Sequence, residues 1–583
     1  MIRKLIRQML TAQIFSALTV SLCLLIDSVI IGRFLGVEAI AAYQLASPIL
    51  LVIGALGSML AAGIQVACSK SLGRGSQEET DAGYSSAVAL TFGISSFLML
   101  LVLAFSSPIA SVMGAGRDGA LFDQTRNYLV GFIIGAPASM GALILVPFMQ
   151  MAGQNGLLIA AVLGMTISDI GLDLMNVLVF HNGMFGMGLA SSISYYIALV
   201  VGCVYFLSKK CMFRFSLHLI TKKKITELFR SGVPAVFNMA SSVILIFLLN
   251  KILLGTGGSD AVAAYSVLTS IGNSANCIAT GIGGVSLTLA GILFSEEDRS
   301  SLEEVMKQLF RNSVILGLAV GAILVVFAPV FVGLFVPQAG AVQTMAVLGV
   351  RLFAAGLIPC CINSALKNAY QVMGRELLTE GISLFGGAIF PALAAFVLSR
   401  FLGTTGIWFY FVAGQLITLL AICLYIRYHT KMLPWENGAF LLLKDDFIVP
   451  KENVLEADIH TLQDMAAVVR ETESFCLAHG ESAKISNRIA LCVEEMAGNA
   501  ILHGFEKDKK PHHLSVRVLC KENGWVVRFR DDCRAFDPVH YIPREGKDAL
   551  GIRLTLAMAE EAHYIYSLNL NNLTLKLPTE KAR

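Results

Sequence analysis

The chain has 583 residues, 55% of them hydrophobic and 15% charged, with a mean hydropathy of +0.69, a balance that excludes an ordinary soluble globular protein and places it in the membrane class. A net charge of +3 excludes a nucleic-acid partner, because the basic residues sit at the ends of apolar stretches instead of forming one patch. The twelve cysteines contain no CxxC pair and no Cys/His set with zinc spacing, so they read as reduced packing thiols.

Arg3, Lys4 and Arg7 precede a long apolar run that imitates a signal peptide, but eleven further apolar stretches make it a first membrane span. Stretches of roughly 20 residues, enough to cross ~30 Å of hydrocarbon, recur near 10–33, 40–66, 84–106, 124–150, 157–180, 186–208, 233–255, 261–285, 312–336, 341–370, 378–400 and 405–427. The expected fold is an all-α polytopic membrane protein of twelve spans, embedded in the lipid bilayer. Lys and Arg load alternate loops: Lys70 and Arg74; Lys209, Lys210, Arg214, Lys222, Lys223 and Lys224; Arg299, Lys307 and Arg311; Arg427 and Lys431. The positive-inside rule makes these loops and both termini cytoplasmic, in a multi-pass protein of the cell membrane.

The membrane part repeats itself. Ala41-Ala42-Tyr43, an apolar helix and Gly63-Ile64 return as Ala263-Ala264-Tyr265 and Gly281-Ile282. The repeat divides it into an N-lobe (1–208), a basic cytoplasmic linker (209–232) and a C-lobe (233–430). Each lobe has an even number of spans, so the two six-helix repeats are parallel and the substrate path is expected between them.

Charge inside the spans is most informative, since a mid-bilayer carboxylate costs at least ~2.5 kcal/mol on insertion scales. Three acids sit deep: Asp27 in span 1, and Asp169 and Asp173 in span 5. The C-lobe has Asn238, Asn250, Asn363 and Asn368 but no mid-span carboxylate. Asp169 and Asp173 are four residues apart and share a helical face. Burial and like-charge proximity favour one shared, releasable proton, the chemistry of a proton-coupled antiporter. The structural alternative is that Ser168, Ser191 or backbone groups simply satisfy these acids.

The run Ile26-Asp27-Ser28-Val29-Ile30-Ile31-Gly32-Arg33-Phe34-Leu35-Gly36, with Asp169-Ile170-Gly171-Leu172-Asp173 and Gly186-Met187-Gly188-Leu189-Ala190, resembles the multidrug and toxic compound extrusion (MATE) transporters, in particular their DNA-damage-inducible-F-like branch. The resemblance covers about 430 residues. It implies alternating-access export of small, amphipathic or cationic molecules coupled to H+ or Na+. Asp27 and Asp173 match the family's ion-linked acids, Asp169 stands where Asn is usual, and Ser191 where Thr is usual. No proline occurs before Pro48, which puts a proline-kink gate in span 1 in doubt, although the repeat counterpart Pro234 is present.

After a linker at 431–450, residues 451–583 are charged and mixed, with no stretch able to span a bilayer. Periodicity predicts helices over 457–479 and 482–504, and a hairpin from 514–518 and 525–529 around Glu522-Asn523-Gly524. A helix near 550–561 and strands near 563–570 and 573–577, turned at Asn571-Asn572, complete a two-layer α/β domain. Glu495, Asn499 and His503 recur at four-residue spacing and so line one face, where they can orient water, metal and phosphate or merely meet solvent.

With Asp531-Asp532-Cys533-Arg534-Ala535-Phe536-Asp537-Pro538 and Leu550-Gly551-Ile552-Arg553, these boxes resemble the histidine-kinase-like (Bergerat-fold, GHKL) ATPases of the anti-sigma-factor kinase type. The resemblance implies ATP/Mg2+ as cofactor, with Glu495 as general base, Asn499 as Mg2+ ligand, Asp531 as the adenine-reading acid and Gly551 in the phosphate lid. His503 and Asp537 complete the nucleotide-binding set. Cys533, Ala535 and Ala549 replace expected glycines and are expected to narrow the pocket. Whether the domain hydrolyses ATP, phosphorylates a cytoplasmic regulatory protein or only binds one stays open. Two further readings compete with a regulated exporter: a membrane sensor feeding a serine kinase, and a lipid or oligosaccharide flippase, for which the spans offer Arg351 and Lys367 as basic residues.

Overall fold

The computed structural model describes residues 2–115, 118–208, 211–336, 340–436, 438–443, 451–505, 512–521, 524–542 and 550–580. Lys209, Lys210, Glu522, Asn523 and Ala549 lie outside the described residues.

The first lobe runs through α1 (Ile2–Ile30), α2 (Val37–Gly73), α3 (Gln77–Ala104), a short α4 (Ser106–Ala110), α5 (Ala120–Ile133), α6 (Ala136–Met151), α7 (Asn155–Met175) and α8 (Gly183–Phe206). The second comprises α9 (Lys222–Ala275), α10 (Cys277–Ser295), α11 (Arg299–Gly333), α12 (Ala341–Ala355), α13 (Leu357–Val372), α14 (Glu376–Gly381), α15 (Phe390–Leu402), a short α16 (Thr404–Ile407) and α17 (Tyr410–Thr430). Among the described residues nine helical stretches are long and apolar enough to cross a membrane, and α5 with α6 and α12 with α13 add two as pairs bent by 49° and 48°. One of the nine, Lys222–Ser295, would be ~110 Å long if it ran straight, but Gly258 breaks it at φ 66° and ψ −157°. Phe97, Leu100, Val326 and Val330 on α3 and α11 are more than half exposed, as an apolar surface facing lipid requires.

Small residues let the helices approach at backbone distance. A Cβ at Gly63 of α2 would lie 2.1 Å from the Leu228 carbonyl oxygen, and one at Gly232 of α9 would lie 2.2 Å from that of Met59. Gly73 meets Ile292 of α10 in the same way. Gln65 Nε2 donates to the Gly284 carbonyl at 3.0 Å and to Thr288 Oγ1 at 2.5 Å. The lobes are thus closed against one another along the end of α2 that faces the C-terminal domain.

That domain contains β1 (Val454–Ile459), α18 (Leu462–Ala478), α19 (Ala483–Asn499), β2 (Leu514–Lys521), β3 (Gly524–Asp531), α20 (Leu550–Met558), β4 (Glu561–Ser567) and β5 (Leu570–Leu577). The strands form one antiparallel sheet in the order β1-β2-β3-β5-β4. Ile485, Ile489 and Val493 of α19 share a buried core with Val516, Val518, Val527, Phe529 and Leu575 of the sheet, which gives two layers.

Three sequence expectations are corrected. The helix expected from 457 starts at Leu462, where Thr461 and Asp464 form a reciprocal capping box; residues 454–459 pair with β2 instead. The helix expected to reach 561 ends at Met558. The β4–β5 turn is Leu568-Asn569, at φ 57° and 61°, whereas Asn571 and Asn572 lie within β5 opposite Asp531 and Arg530. A two-residue turn of type I′ needs positive φ at both positions, which Leu rarely takes. Burial of Leu568 in the core of the helical lobes offsets that cost. The expected linker is also anchored: Tyr370 Oη donates to the Phe440 carbonyl at 2.8 Å, and the Phe440 ring meets Phe310 edge-on at 5.4 Å.

Candidate functional site

A cavity of about 260 Å³ opens inside the N-lobe between α1, α2, α5, α7 and α8. Asp27 and Asp169 line it with Tyr43, Tyr128, Ser191, Ser194 and Tyr195, while Asp173 is completely buried behind it. Asp27 lies within hydrogen-bonding reach of both other acids, so the structure brings the three carboxyls together. Asp169 Oδ1 accepts from Ser194 Oγ at 3.0 Å. No donor reaches Asp27 Oδ1 or either oxygen of Asp173 among the described residues. Three acceptor oxygens buried without donors need a proton or a cation, since an ionised carboxylate only accepts.

The serines divide their duties differently from the sequence expectation. Ser168 turns back to the Met165 carbonyl at 2.9 Å, and Ser191 stands beside Asp169 with its hydroxyl 3.4 Å from the Met187 carbonyl. The direct donor, Ser194, was not singled out from sequence. Its signal was present: Ser191, Ser194 and Tyr195 fall three and four residues apart on one helical face. Helix α1 widens into a π-turn at Ile31–Leu35 and α7 into another at Asn176–Phe180, each a few residues beyond an acid. Such widened turns recur at functional sites.

A second cavity, of about 320 Å³, lies in the C-terminal domain and is lined by Asn499, His503, Asp531, Tyr564 and Asn571 among others. Cys533 and Ala535 also line it, yet the cavity remains roomy: Cys533 packs its thiol toward Gly504, where an added Cβ would meet Sγ at 2.8 Å. Asp531 Oδ1 accepts from Asn571 Nδ2 at 2.7 Å and from the Cys533 amide at 3.0 Å. Burial pushes its carboxyl above the usual range, against the opposing effect of those bonds.

Glu495 and Gly551 meet each other outside the lining: a Cβ at Gly551 would fall 1.8 Å from Glu495 Oε2, so a side chain there would push the carboxylate aside. After Asn499 the helix opens into a π-turn, Ala500–Gly504, which carries His503 to the cavity with Asn499. Asp537 caps a local turn, accepting from the amides of Val539 and His540 at 2.9 and 3.3 Å. It does not line the cavity. Asn499, His503 and Asp531 together give the cavity polar groups that can hydrogen-bond a ligand.

The domain is pinned to both lobes. Between α10 and α11, Glu296 pairs with Arg530 at 2.5 Å, Glu297 with Lys521 at 2.5 Å and Asp298 with Arg517 at 3.4 Å, while Arg528 donates to the Glu296 carbonyl. Burial alone would raise the Asp298 carboxyl, but Arg517 and Arg530 overcome it and hold the group below its ordinary range. On the other lobe, the Leu568 amide donates to the Met151 carbonyl at 2.9 Å and Asn569 Nδ2 to the Gly153 carbonyl at 2.9 Å.

Two packed helical lobes with a largely lipid-facing exterior, the first enclosing a carboxyl-lined cavity, define a multi-pass membrane transporter. The MatE family profile matches residues 12–178 and 234–397, more than half of the chain and one segment in each lobe, and the chain belongs to that family of MATE multidrug efflux transporters. The multidrug export protein MepA of Staphylococcus aureus (strain NCTC 8325 / PS 47) is 25% identical over 397 residues, covering 66% of this chain and 84% of MepA. MepA of Staphylococcus saprophyticus is 24% identical over 422 residues, covering 72% and 88%. A MATE transporter crystallised in the straight conformation superposes with a TM-score of 0.67 at 18% identity, covering 72% of this chain and 94% of that one. A mutant of the Vibrio cholerae MATE transporter VcmN gives 0.66 at 18%, covering 75% and 98%. The family match ends before the C-terminal sheet begins.

Proposed function

We propose that the chain is an ion-coupled antiporter of twelve spans that exports small amphipathic cations by alternating access, with H+ or Na+ as the coupling ion. The observation that carries this reading is the carboxyl cluster of Asp27, Asp169 and Asp173, whose buried oxygens lack donors. A proton or Na+ entering the cluster supplies the missing partner. Its departure restores a negative charge that attracts a cationic substrate, so the two occupy the cavity in turn and exchange follows. Ser191 and Ser194 hold Asp169 in place. The name of the MepA relatives, multidrug export protein, supports the substrate class. The Gly258 break divides one long helical stretch and supports twelve spans over eleven.

The C-terminal domain is proposed to be cytoplasmic and to regulate transport through bound ATP/Mg2+. Asn499 is assigned to the metal, Asp531 to the adenine, His503 to the phosphates and Glu495 to a water if hydrolysis occurs; Asp537 and Gly551 shape the surrounding turns. Bound nucleotide would add charge and a metal-held phosphate chain. Regulation is supported by the bridging contacts, since a domain pinned to the α6–α7 turn of one lobe and the α10–α11 turn of the other opposes their separation on that side. Proteoliposomes loaded with ethidium test the reading. Efflux should follow an imposed H+ or Na+ gradient and change rate with ATP/Mg2+ on the domain side. Efflux indifferent to both gradients would contradict coupling; efflux indifferent to nucleotide would contradict regulation.

A further inference from the structure

The two lobes enclose cavities of opposite charge. The N-lobe cavity has Asp27 and Asp169 in its lining and no basic side chain among the described residues. The C-lobe cavity, about 300 Å³ among α9, α10, α13 and α17, has Lys367 as the one charged side chain in its lining among the described residues. Lys367 Nζ donates to Asn238 Oδ1 at 2.9 Å. An ammonium carries three N–H donors, so a neutral amide oxygen answers one of them and cancels none of the charge. Asn363 Nδ2 donates to Gln415 Oε1 at 2.9 Å, which leaves the amide nitrogen of Gln415 as a further donor in the same lining.

A lysine within a membrane-spanning helix is costly and is normally balanced by a counter-charge. Here the described cavity wall offers none. It offers aromatic surfaces instead: Tyr265 meets Tyr410 edge-on at 5.8 Å, and Phe353 stacks on Phe411 at 4.0 Å. We propose that the C-lobe cavity binds an organic anion, an aromatic carboxylate whose acid group pairs with Lys367 and whose ring lies against this aromatic wall. A dissolved carboxylate and an anionic lipid headgroup share the charge, but the flat aromatic lining favours the dissolved compound. The site stands apart from the ion-coupled export reading, because binding needs no gradient.

Isothermal titration of the full-length chain in detergent tests it, with 2-naphthoate as probe and the neutral 2-naphthamide as its control. Saturable naphthoate binding is expected, at least tenfold tighter than that of the amide. Lys367→Met should weaken it at least tenfold, while Lys367→Arg, which keeps the charge, stays within threefold of wild type. The naphthoate-to-naphthamide ratio needs no variant and decides the matter even if Lys367→Met fails to fold. Absent binding, equal affinity for acid and amide, or an unchanged affinity in folded Lys367→Met overturns the proposal. So does displacement of naphthoate by phosphatidylglycerol, which makes a lipid headgroup the occupant.

Discussion

The N-lobe and the C-lobe are built from the same kind of parts and differ in a handful of charges that line their cavities. Each has helices packed through glycines around a cavity of about 260 to 300 Å³. In the N-lobe, two lining acids and Asp173 behind them crowd together with unanswered oxygens; in the C-lobe, Lys367 stands with an asparagine for company. Apolar length and small-residue packing set the shared architecture, and those few side chains set what each half can bind. A carboxyl cluster without donors works by exchanging occupants, whereas a lone cation waits for one.

The largest effect expected of breaking this asymmetry is at Asp27. Replacing it with Asn removes the acid that touches both others, and gradient-driven ethidium efflux from proteoliposomes should fall to the protein-free background. Efflux that persists would make Asp27 a packing residue. Ser194→Ala sharpens the comparison by leaving all three charges but removing the donor to Asp169. A hydrogen bond to a charged group contributes about 1.5 kcal/mol or more, so affinity for the coupling ion should change about tenfold, read from the ion concentration at half-maximal efflux.

The C-terminal domain permits a similar dissection. Asn499→Ala should weaken binding of Mg2+-ATP by about tenfold, with less effect on nucleotide measured in the presence of chelator, as loss of a metal ligand requires. Equal loss with and without Mg2+ would move Asn499 from the metal to the base or ribose. The smallest effect is expected at the bridge. Arg530→Ala removes the partner of Glu296 and loosens the domain from the C-lobe, and transport at saturating substrate should rise about two- to fivefold if lobe separation limits the rate. An unchanged rate would leave the domain a passenger.

Much of the membrane part was legible because the bilayer imposes length. The apolar runs, the repeat of Ala41-Ala42-Tyr43 at Ala263-Ala264-Tyr265 and the three acids all follow from one rule, that charge and polar backbone are expensive in hydrocarbon. What escaped was local chemistry. Ser168 and Ser191 are equally plausible donors in sequence, and only the rotation of α8 against α7 brings in Ser194. In the soluble domain, 457–459 reads as the front of a helix because apolar and acidic residues alternate in a short run that suits either period; pairing with β2 decides it. The turn at Leu568-Asn569 was hidden because Asn571-Asn572 is the better turn former, and what offsets a leucine at positive φ lies in the transporter, far away in sequence. The placement of Glu495 against Gly551 and of Asp537 in its own turn was not readable from their spacing.

Ion and cationic substrate are expected to exclude one another at the N-lobe carboxyls. Ethidium affinity of the full-length protein in detergent, measured by fluorescence anisotropy across pH and across Na+ concentration, tests it most directly, with Asp173→Asn as the comparison. Wild-type affinity should weaken at least tenfold on acidification or on addition of Na+, and Asp173→Asn should flatten that dependence. A wild-type affinity insensitive to both ions, or an unaltered dependence in Asp173→Asn, would contradict it.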